Sequence, residues 1–414
     1  MKTSNPLFKT SKIVALVTAC AFLASANFSS LKDLGLPEKF FPSKSKYYTV
    51  ESVREADKTP GFLVFKLKAP HGDYEEYGLV ALRKTMHEAE VLETLDETEH
   101  SGSVKDGAVD SVKDTGRGLK KIVTDPGDSA KGVGKATKKL GRSIGGIFRK
   151  KEAGEKTTMG EKLMGGTKRK LAKQMGVDVY TRNPYLQQKL HDMAKSQTTG
   201  AGAVMVAKML MPIGMIASLV LTVGSLNNAA DQLVNDSSRP ELFRLNKQAL
   251  RADGYDESDI KTLLNHSYYT PREVTYMRFY LDKLKGVEGS VEILKAAGSA
   301  KDAIPANKIL YESQIIAEAF GGKVEGTKIL RMEEGLALKQ DNKLIFATAF
   351  DYLDKSKTGD SVLQKALALK DELQCNSLEI WNAGKVTLGF SAATLLKGVK
   401  TRGLVIFTDK EEAA

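Results

Sequence analysis

The stretch from residue 100 to residue 175 constrains this chain most, because its composition cannot supply a hydrophobic core. It contains no Trp or Tyr and a single Phe, Phe148, whereas Gly and Lys recur throughout. A packed interior needs large apolar side chains, and segments that lack them stay solvated. We therefore predict a Gly/Lys-rich basic amphipathic linker at residues 100–175, with separate folded parts on either side of it.

The second half of this linker has an amphipathic pattern despite its glycines. Residues 131–175 carry 14 Lys or Arg against three Glu. On a helical wheel, the apolar residues between Val133 and Ile147 gather on one side and the basic residues on the other. Five glycines between residues 132 and 146 each cost a helix about 0.5–1 kcal/mol relative to Ala. We expect such a helix to be marginal in water.

Two interpretations of this pattern remain open. The segment is either a solvated basic connection, or residues 103–149 form an amphipathic hairpin that becomes helical on a binding surface. That surface would be an anionic membrane or an envelope protein partner. The side chains predicted to make the contact combine one basic face with an apolar end: Lys131, Lys135, Lys138, Lys139, Arg142, Arg149, Ile144, Ile147 and Phe148.

The N-terminus has the parts of a cleavable secretory signal peptide at residues 1–26. Three lysines accompany an apolar run from Ile13 to Leu23, and Ala24-Ser25-Ala26 is the small-x-small pattern that signal peptidase cleaves. Cleavage before Asn27 predicts an exported protein of the periplasm or envelope. The alternative interpretation takes Val17-Thr18-Ala19-Cys20 as a lipobox, which would anchor a lipoprotein at Cys20.

The parts outside the linker predict an α+β, multidomain protein. Residues 27–99 alternate polar with β-branched or aromatic residues and indicate a small mixed α/β module. Residues 176–322 indicate a helical domain, in which Thr270-Pro271-Arg272-Glu273 is a capping box. Residues 323–414 indicate a C-terminal α/β domain, with Ser391 as a helix N-cap and a last strand at residues 404–407.

The most apolar run after the signal peptide is residues 200–226, interrupted by Lys208, Pro212 and Gly214. Its length permits a membrane span. Seven basic residues between 168 and 195 precede it, on the side that export would place outside, and such a load opposes the positive-inside tendency. The pattern favours a buried helical hairpin broken near Pro212. A single transmembrane span and a conditional membrane-inserting element are the alternatives.

No motif identifies a catalytic, metal or cofactor site, and we expect no cofactor. Gly389-Phe390-Ser391-Ala392-Ala393 has the spacing of a nucleophile elbow, but the last histidine is His266, and such hydrolases need one after the serine. The glycines near Lys135 lack parts of a phosphate-binding loop, and the five histidines show no metal-binding spacing. Nucleic acid is an unlikely partner because the basic stretch lacks Tyr and Trp for stacking.

These observations favour an exported, non-catalytic envelope protein that binds an anionic membrane surface or an assembly partner through its basic amphipathic segment. The alternative is a periplasmic hydrolase acting on envelope material, with a site between the helical and C-terminal domains. A deep pocket with convergent polar groups would favour the hydrolase.

Overall fold

Three β-sheets and eleven α-helices form in the computed structural model, which describes residues 30–42, 45–57, 59–100, 159–198 and 225–407. The protein therefore has the mixed helix-and-sheet architecture of the α+β class. The strands are β1 (Thr49–Glu55), β2 (Leu63–Ala69), β3 (Gly72–Tyr77), β4 (Lys328–Arg331), β5 (Leu336–Gln340), β6 (Lys343–Thr348), β7 (Tyr352–Leu353), β8 (Ser377–Asn382), β9 (Lys385–Val386) and β10 (Lys400–Arg402). The helices are α1 (Leu79–His100), α2 (Met159–Gln174), α3 (Pro184–Thr198), α4 (Ser225–Asp236), α5 (Arg239–Ala252), α6 (Glu257–Leu264), α7 (Pro271–Lys283), α8 (Ser290–Gly298), α9 (Ala303–Ala319), α10 (Lys357–Glu372) and α11 (Leu388–Leu395).

The N-terminal module is an antiparallel sheet in the order β1-β2-β3, followed directly by α1. Alternation along β2 sends Leu63, Phe65 and Leu67 into one core and Val64 into another, as expected for a strand packed on both faces. Gly78 joins sheet to helix with a φ of +93°, a conformation that residues with a side chain rarely adopt. Because both faces of β2 are packed, the N-terminal module lies between two hydrophobic cores.

Helices α2 and α3 pack against the second half of α1 around a small core of their own. Leu171 and Ala172, in the last turn of α2, have no exposed surface. The linker predicted to reach residue 175 therefore extends too far. The apolar content of residues 100–175 is low on average over these 76 residues. The average does not reveal that a few apolar side chains in α2 have the helical spacing needed to pack.

Helices α4 to α9 build the helical region, and the predicted capping box at its centre is confirmed. The Thr270 hydroxyl accepts a hydrogen bond from the Glu273 backbone N–H at 3.2 Å, and the Glu273 carboxylate accepts one from the Thr270 N–H at 2.6 Å. The box fixes the start of α7, whose Tyr276 and Tyr280 are buried in the main core. The N-terminus of α7 is thereby held in place for the charged residues described below.

The C-terminal domain has a five-stranded sheet in the order β10-β8-β6-β5-β4. Strands β4, β5 and β6 form an antiparallel meander, whereas β6, β8 and β10 are parallel and are joined through α10 and α11. Two local predictions were wrong. Thr387 caps α11 in place of Ser391, because its hydroxyl accepts from the Phe390 N–H, and residues 404–407 form a turn, because Leu404 has a φ of +56°.

The largest hydrophobic core draws side chains from the N-terminal module, the helical region and the C-terminal sheet. No helix in the described ranges combines the length and apolar character that a membrane crossing requires. The predicted signal peptide and almost all of the apolar segment 200–226 lie outside those ranges.

Candidate functional site

A buried cluster of charged side chains lies where α1 meets the helical region. Lys84 of α1 reaches Asp178, in the loop between α2 and α3, with 3.0 Å between Nζ and Oδ2. Burial raises the pKa of Asp178, but the charges of Lys84 and Arg272 outweigh it and hold that pKa below its usual range. The Tyr180 N–H donates to the other carboxylate oxygen of Asp178 at 2.8 Å. Asp178 is therefore ionised, and each of its carboxylate oxygens accepts a hydrogen bond.

Arg272, at the start of α7, completes this cluster from the other side. Its Nη2 lies 2.7 Å from Asp231 Oδ1 of α4, and its Nε donates to the Tyr276 hydroxyl at 2.9 Å. The Tyr276 hydroxyl in turn donates to the same Asp231 oxygen. Burial lowers the pKa of Arg272, but the neighbouring Tyr276, Asp178 and Asp231 raise it overall. The guanidinium is therefore a permanent cation that joins α4 to α7, and its charge also stabilises the Asp178 carboxylate.

Two glutamates at the rim of the cluster have perturbed pKa values. Burial raises the pKa of Glu76 to about 7, although the Thr85 hydroxyl donates to it at 2.7 Å. Burial also raises the pKa of Glu88, against the opposing charge of Lys84. Such shifts are common in active sites, but salt-bridge networks produce them as well. Because most of these groups bond to one another across element boundaries, the cluster's role is to assemble the fold.

One cavity lies where an active site would be expected, between the N-terminal module, α9 and the C-terminal sheet. Its volume is about 20 Å³, which holds one water molecule. Asp351 lines it, next to the carboxyl ends of β6 and β8, where open α/β sheets commonly bind ligands. The N-terminal module covers this edge. The Asp351 carboxylate accepts from the Leu63 N–H at 2.7 Å and from the Leu79 N–H at 2.8 Å.

These two bonds make Asp351 a clamp between the C-terminal sheet and the N-terminal module. One oxygen holds β2, and the other caps the first turn of α1. Burial raises the pKa of Asp351 to about 7, against the lowering effect of both N–H donors. A Cβ at Gly78 would lie 3.3 Å from Asp351 Oδ1, so glycine gives the carboxylate room there.

The short helix α11 exposes an apolar face, which we call the leucine surface: Leu388, Leu395 and Leu396. Their exposed fractions are 89%, 69% and 79%. Positions i, i+7 and i+8 share one side of a helix. Buried Phe390 and Thr394 hold the opposite side of α11 in the domain. Contiguous exposed leucines mark an interaction surface more often than isolated ones do.

Basic side chains border the leucine surface. Lys397 and Lys400 are exposed directly after α11. Lys385, by contrast, donates to the carbonyl oxygens of Leu34 and Gly35 and is half-buried. The surface thus combines apolar side chains with two solvent-facing cations.

The sequence-predicted contact residues lie outside the described ranges: Lys131, Lys135, Lys138, Lys139, Arg142, Ile144, Ile147, Phe148 and Arg149. Sequence reasoning missed the leucine surface. The available signal was Leu395-Leu396-Lys397 at the end of a short helix, but a leucine pair of this kind is equally typical of a buried helix face.

Comparison of the chain with protein-family models, curated proteins and solved structures gives no match. In the described part of the chain, no group of three or more His, Cys, Asp or Glu side chains is arranged to hold a metal ion. The surfaces and charges of this chain are therefore the features from which a function is inferred.

Proposed function

We propose that the protein is an exported, non-catalytic envelope protein that binds an anionic membrane surface. Two regions make the contact: the basic amphipathic segment around residues 131–149 and the leucine surface of α11. The observation that carries the proposal is the exposure of three leucines beside Lys397 and Lys400.

The leucine surface is suited to shallow insertion among lipid headgroups. Full burial of a Leu side chain contributes about 1.5–3 kcal/mol, and each basic residue near an anionic surface adds about 1 kcal/mol. An apolar anchor of this size gives reversible binding, and stable association takes a second signal. The basic segment 131–149 supplies that second signal.

Charge supports a lipid surface as the occupant. From Lys385 to Thr408 inclusive the sequence has four basic residues and no Asp or Glu, and two of the four, Lys397 and Lys400, are exposed. Leu388 is nearly as exposed as a free side chain, so it projects from the domain, and projecting leucines penetrate a soft surface readily. An envelope protein partner is the alternative occupant, and the test distinguishes it from a membrane.

The test is co-sedimentation of the mature chain with vesicles of phosphatidylcholine, with and without phosphatidylglycerol. We expect binding that needs the anionic lipid and weakens with salt, because charge attraction is screened over roughly 8–10 Å at physiological ionic strength. Replacing both Leu395 and Leu396 with Ser should weaken binding by at least roughly tenfold, since each loses apolar burial. The reversals Lys135→Glu, Lys138→Glu, Lys139→Glu and Arg142→Glu, made together, should weaken it further.

The matched control is Val324→Ser, which changes an apolar side chain that is 41% exposed and lies outside the leucine surface. It should bind vesicles as the wild type does. If the leucine and charge-reversal variants also bind like the wild type, or if neutral vesicles bind equally well, the membrane proposal is wrong. Binding to an envelope protein without any vesicle binding would point to the assembly partner.

Export is tested separately by the intact mass of protein from its native host. We expect a mature chain that begins at Asn27, as the Ala24-Ser25-Ala26 pattern predicts. A diacylglyceryl group on Cys20 would support the lipoprotein interpretation. A retained Met1 would contradict both.

A further inference from the structure

An open depression of about 340 Å³ lies at the edge of the C-terminal sheet where the parallel strands β6 and β8 begin. The N-terminal module covers the opposite edge, beside Asp351, so the depression is separate from the small cavity there. Small-molecule sites commonly have volumes of about 300–1,000 Å³. The depression is therefore large enough for a small ligand.

Two segments wall the depression, and backbone hydrogen bonds join them. The carbonyl oxygen of Asn342, in the turn between β5 and β6, accepts from the Asn376 N–H at 2.7 Å and from the Ser377 N–H at 3.3 Å. The parallel pairing of β6 with β8 continues from this point, with Lys343 opposite Ser377. A ligand would therefore meet a preformed surface, and binding would cost little ordering of the chain.

The charged side chains of the depression are already paired. Asp341 Oδ1 lies 2.6 Å from Lys323 Nζ, and Lys343 Nζ lies 2.7 Å from Glu379 Oε1. Glu379 also accepts a hydrogen bond from the Trp381 indole N–H at 2.8 Å. A charged ligand would have to compete with these ion pairs, so the lining favours a neutral one.

The groups that remain available to a ligand are uncharged. Three side-chain amides and one hydroxyl line the depression and have no hydrogen-bond partner among the described residues: Gln340, Asn342, Asn376 and Ser377. Each amide has both donors and an acceptor, and the hydroxyl acts as either. Ile345, which is only 4% exposed, adds an apolar part to the lining.

This combination matches a ligand that carries several hydroxyl groups on a small ring. Each sugar hydroxyl both donates and accepts, as the amides do, and the C–H groups of the ring can pack on an apolar side chain. We propose that the depression is a binding site for a neutral sugar, either free or as a unit of a larger glycan. The inference is independent of the membrane proposal, because the leucine surface and the basic segment take no part in it.

The test is a titration of the mature chain, labelled with ¹⁵N, with glucose, galactose, mannose and N-acetylglucosamine in turn. We expect at least one sugar to shift the amide signals of residues 340–345 and 376–377, which line the depression. The described lining has no aromatic ring for stacking, so we expect a Kd of about 1–10 mM. Glucuronate, an anionic sugar of similar size, should bind more weakly.

Two double variants test the side chains. Gln340→Ala with Asn376→Ala should weaken binding by roughly tenfold, because two hydrogen-bonding groups are lost. Asn342→Asp with Asn376→Asp keeps the shape of both side chains and removes their N–H donors, so it should weaken binding even if the alanine variant disturbs the surface. Gln248→Ala is the matched control, because it removes an exposed amide of α5 outside the depression.

The methyl glycoside of the sugar that binds separates the two sources. Equal affinity for the glycoside identifies a unit of a glycan, whereas loss of binding identifies a free sugar. The proposal is overturned if no neutral sugar shifts these signals, if glucuronate binds as tightly as the neutral sugars, or if both double variants bind like the wild type.

Discussion

Arg272 and Arg83 are both largely buried on helices, yet their environments are opposite. Arg272 contacts the Asp231 carboxylate and the Tyr276 hydroxyl, and its neighbours raise its pKa overall. Arg83 contacts two aromatic rings, leaves two buried nitrogens without a partner in the described chain, and has its pKa lowered by burial.

The difference separates a cation whose bonds are completed within the fold from a cation that two aromatic rings shield without completing its hydrogen bonds. Every partner of Arg272 belongs to an element that must be assembled, so the interaction is complete within the fold. Arg83 is retained in the interior although nothing described there completes its hydrogen bonds, and an apolar residue would pack between the rings at lower cost. Measurements that alter one region and spare the other test this distinction.

The largest effect should come from Arg272→Met. It leaves the half-buried Asp231 without its cation, and the loss should approach the roughly 3–5 kcal/mol that breaking a fully buried pair costs. Urea unfolding followed by circular dichroism measures this loss. Arg278→Met, on the same helix and 4.2 Å from the Phe279 ring, is the control and should cost far less. Equal losses in the two variants would show that the Arg272 pairs add nothing.

Asp351→Ala extends the comparison to a buried anion. The change leaves the Leu63 and Leu79 N–H groups without an acceptor, and we expect a loss of about 2–4 kcal/mol, since each unsatisfied buried donor costs about 1–3 kcal/mol. Asp351→Asn, which keeps one acceptor oxygen, should lose less. Thermal and urea unfolding together decide the order, and a larger loss for Asn than for Ala would contradict the clamp.

A pH titration of stability separates the paired Asp178 from the poorly compensated Glu76. Burial raises the pKa of Glu76 to about 7. The stability that Glu76 contributes is therefore fully present below pH about 4.5 and is lost as the pH rises through 7. The total loss in the free energy of unfolding is about 1–3 kcal/mol. Asp178 has a lowered pKa, so its contribution has the opposite sign and is lost as the pH falls toward that value.

Glu76→Gln isolates the first effect from Glu312 and Asp351, whose pKa values burial also raises to about 7. The stability difference between wild type and Glu76→Gln should change steadily between pH 4.5 and 7. A constant difference across that range would mean that Glu76 titrates as an exposed carboxyl does.

The smallest effect should come from Arg83→Met, which we expect to change the free energy of unfolding by less than about 1 kcal/mol. Met can fill the space between the rings, and removal of a poorly paired buried cation offsets the lost packing. The same urea titration measures it alongside Arg272→Met. A loss as large as that of Arg272→Met would make Arg83 a structural residue.

Local signals in the sequence predicted much of the fold. The capping box at Thr270 and Glu273 needs only neighbours along the chain, and so does the alternation in β2. The end of the linker was misplaced because α2 is stabilised by the burial of Leu171 in the core that it shares with α1 and α3, a tertiary effect without a local signature. The same applies to the N-cap of α11, where Thr387 caps the helix although Ser391 is at least as good a capping residue by type.

The sequence alone could not predict the candidate sites either, because their residues meet only in the folded structure. Lys84 and Asp178 lie 94 residues apart, and Arg83 and Phe407 lie even further apart, so no spacing in one sequence reveals either contact. The exposure of Leu388 depends on which side of α11 faces the domain. That choice is made by the burial of Phe390, which the sequence alone does not specify.

The Asp351 clamp has a consequence for the order in which the chain becomes structured. The acceptor for the Leu63 N–H lies 288 residues further along the chain, and the acceptor for the Leu79 N–H lies 272 residues further. A chain that emerges from a ribosome or an export channel N-terminus first therefore presents β2 and α1 long before their partner exists. Contacts of such long range form slowly, so the earliest part to emerge is among the last to lock into place, and a long interval remains in which a chaperone can hold it.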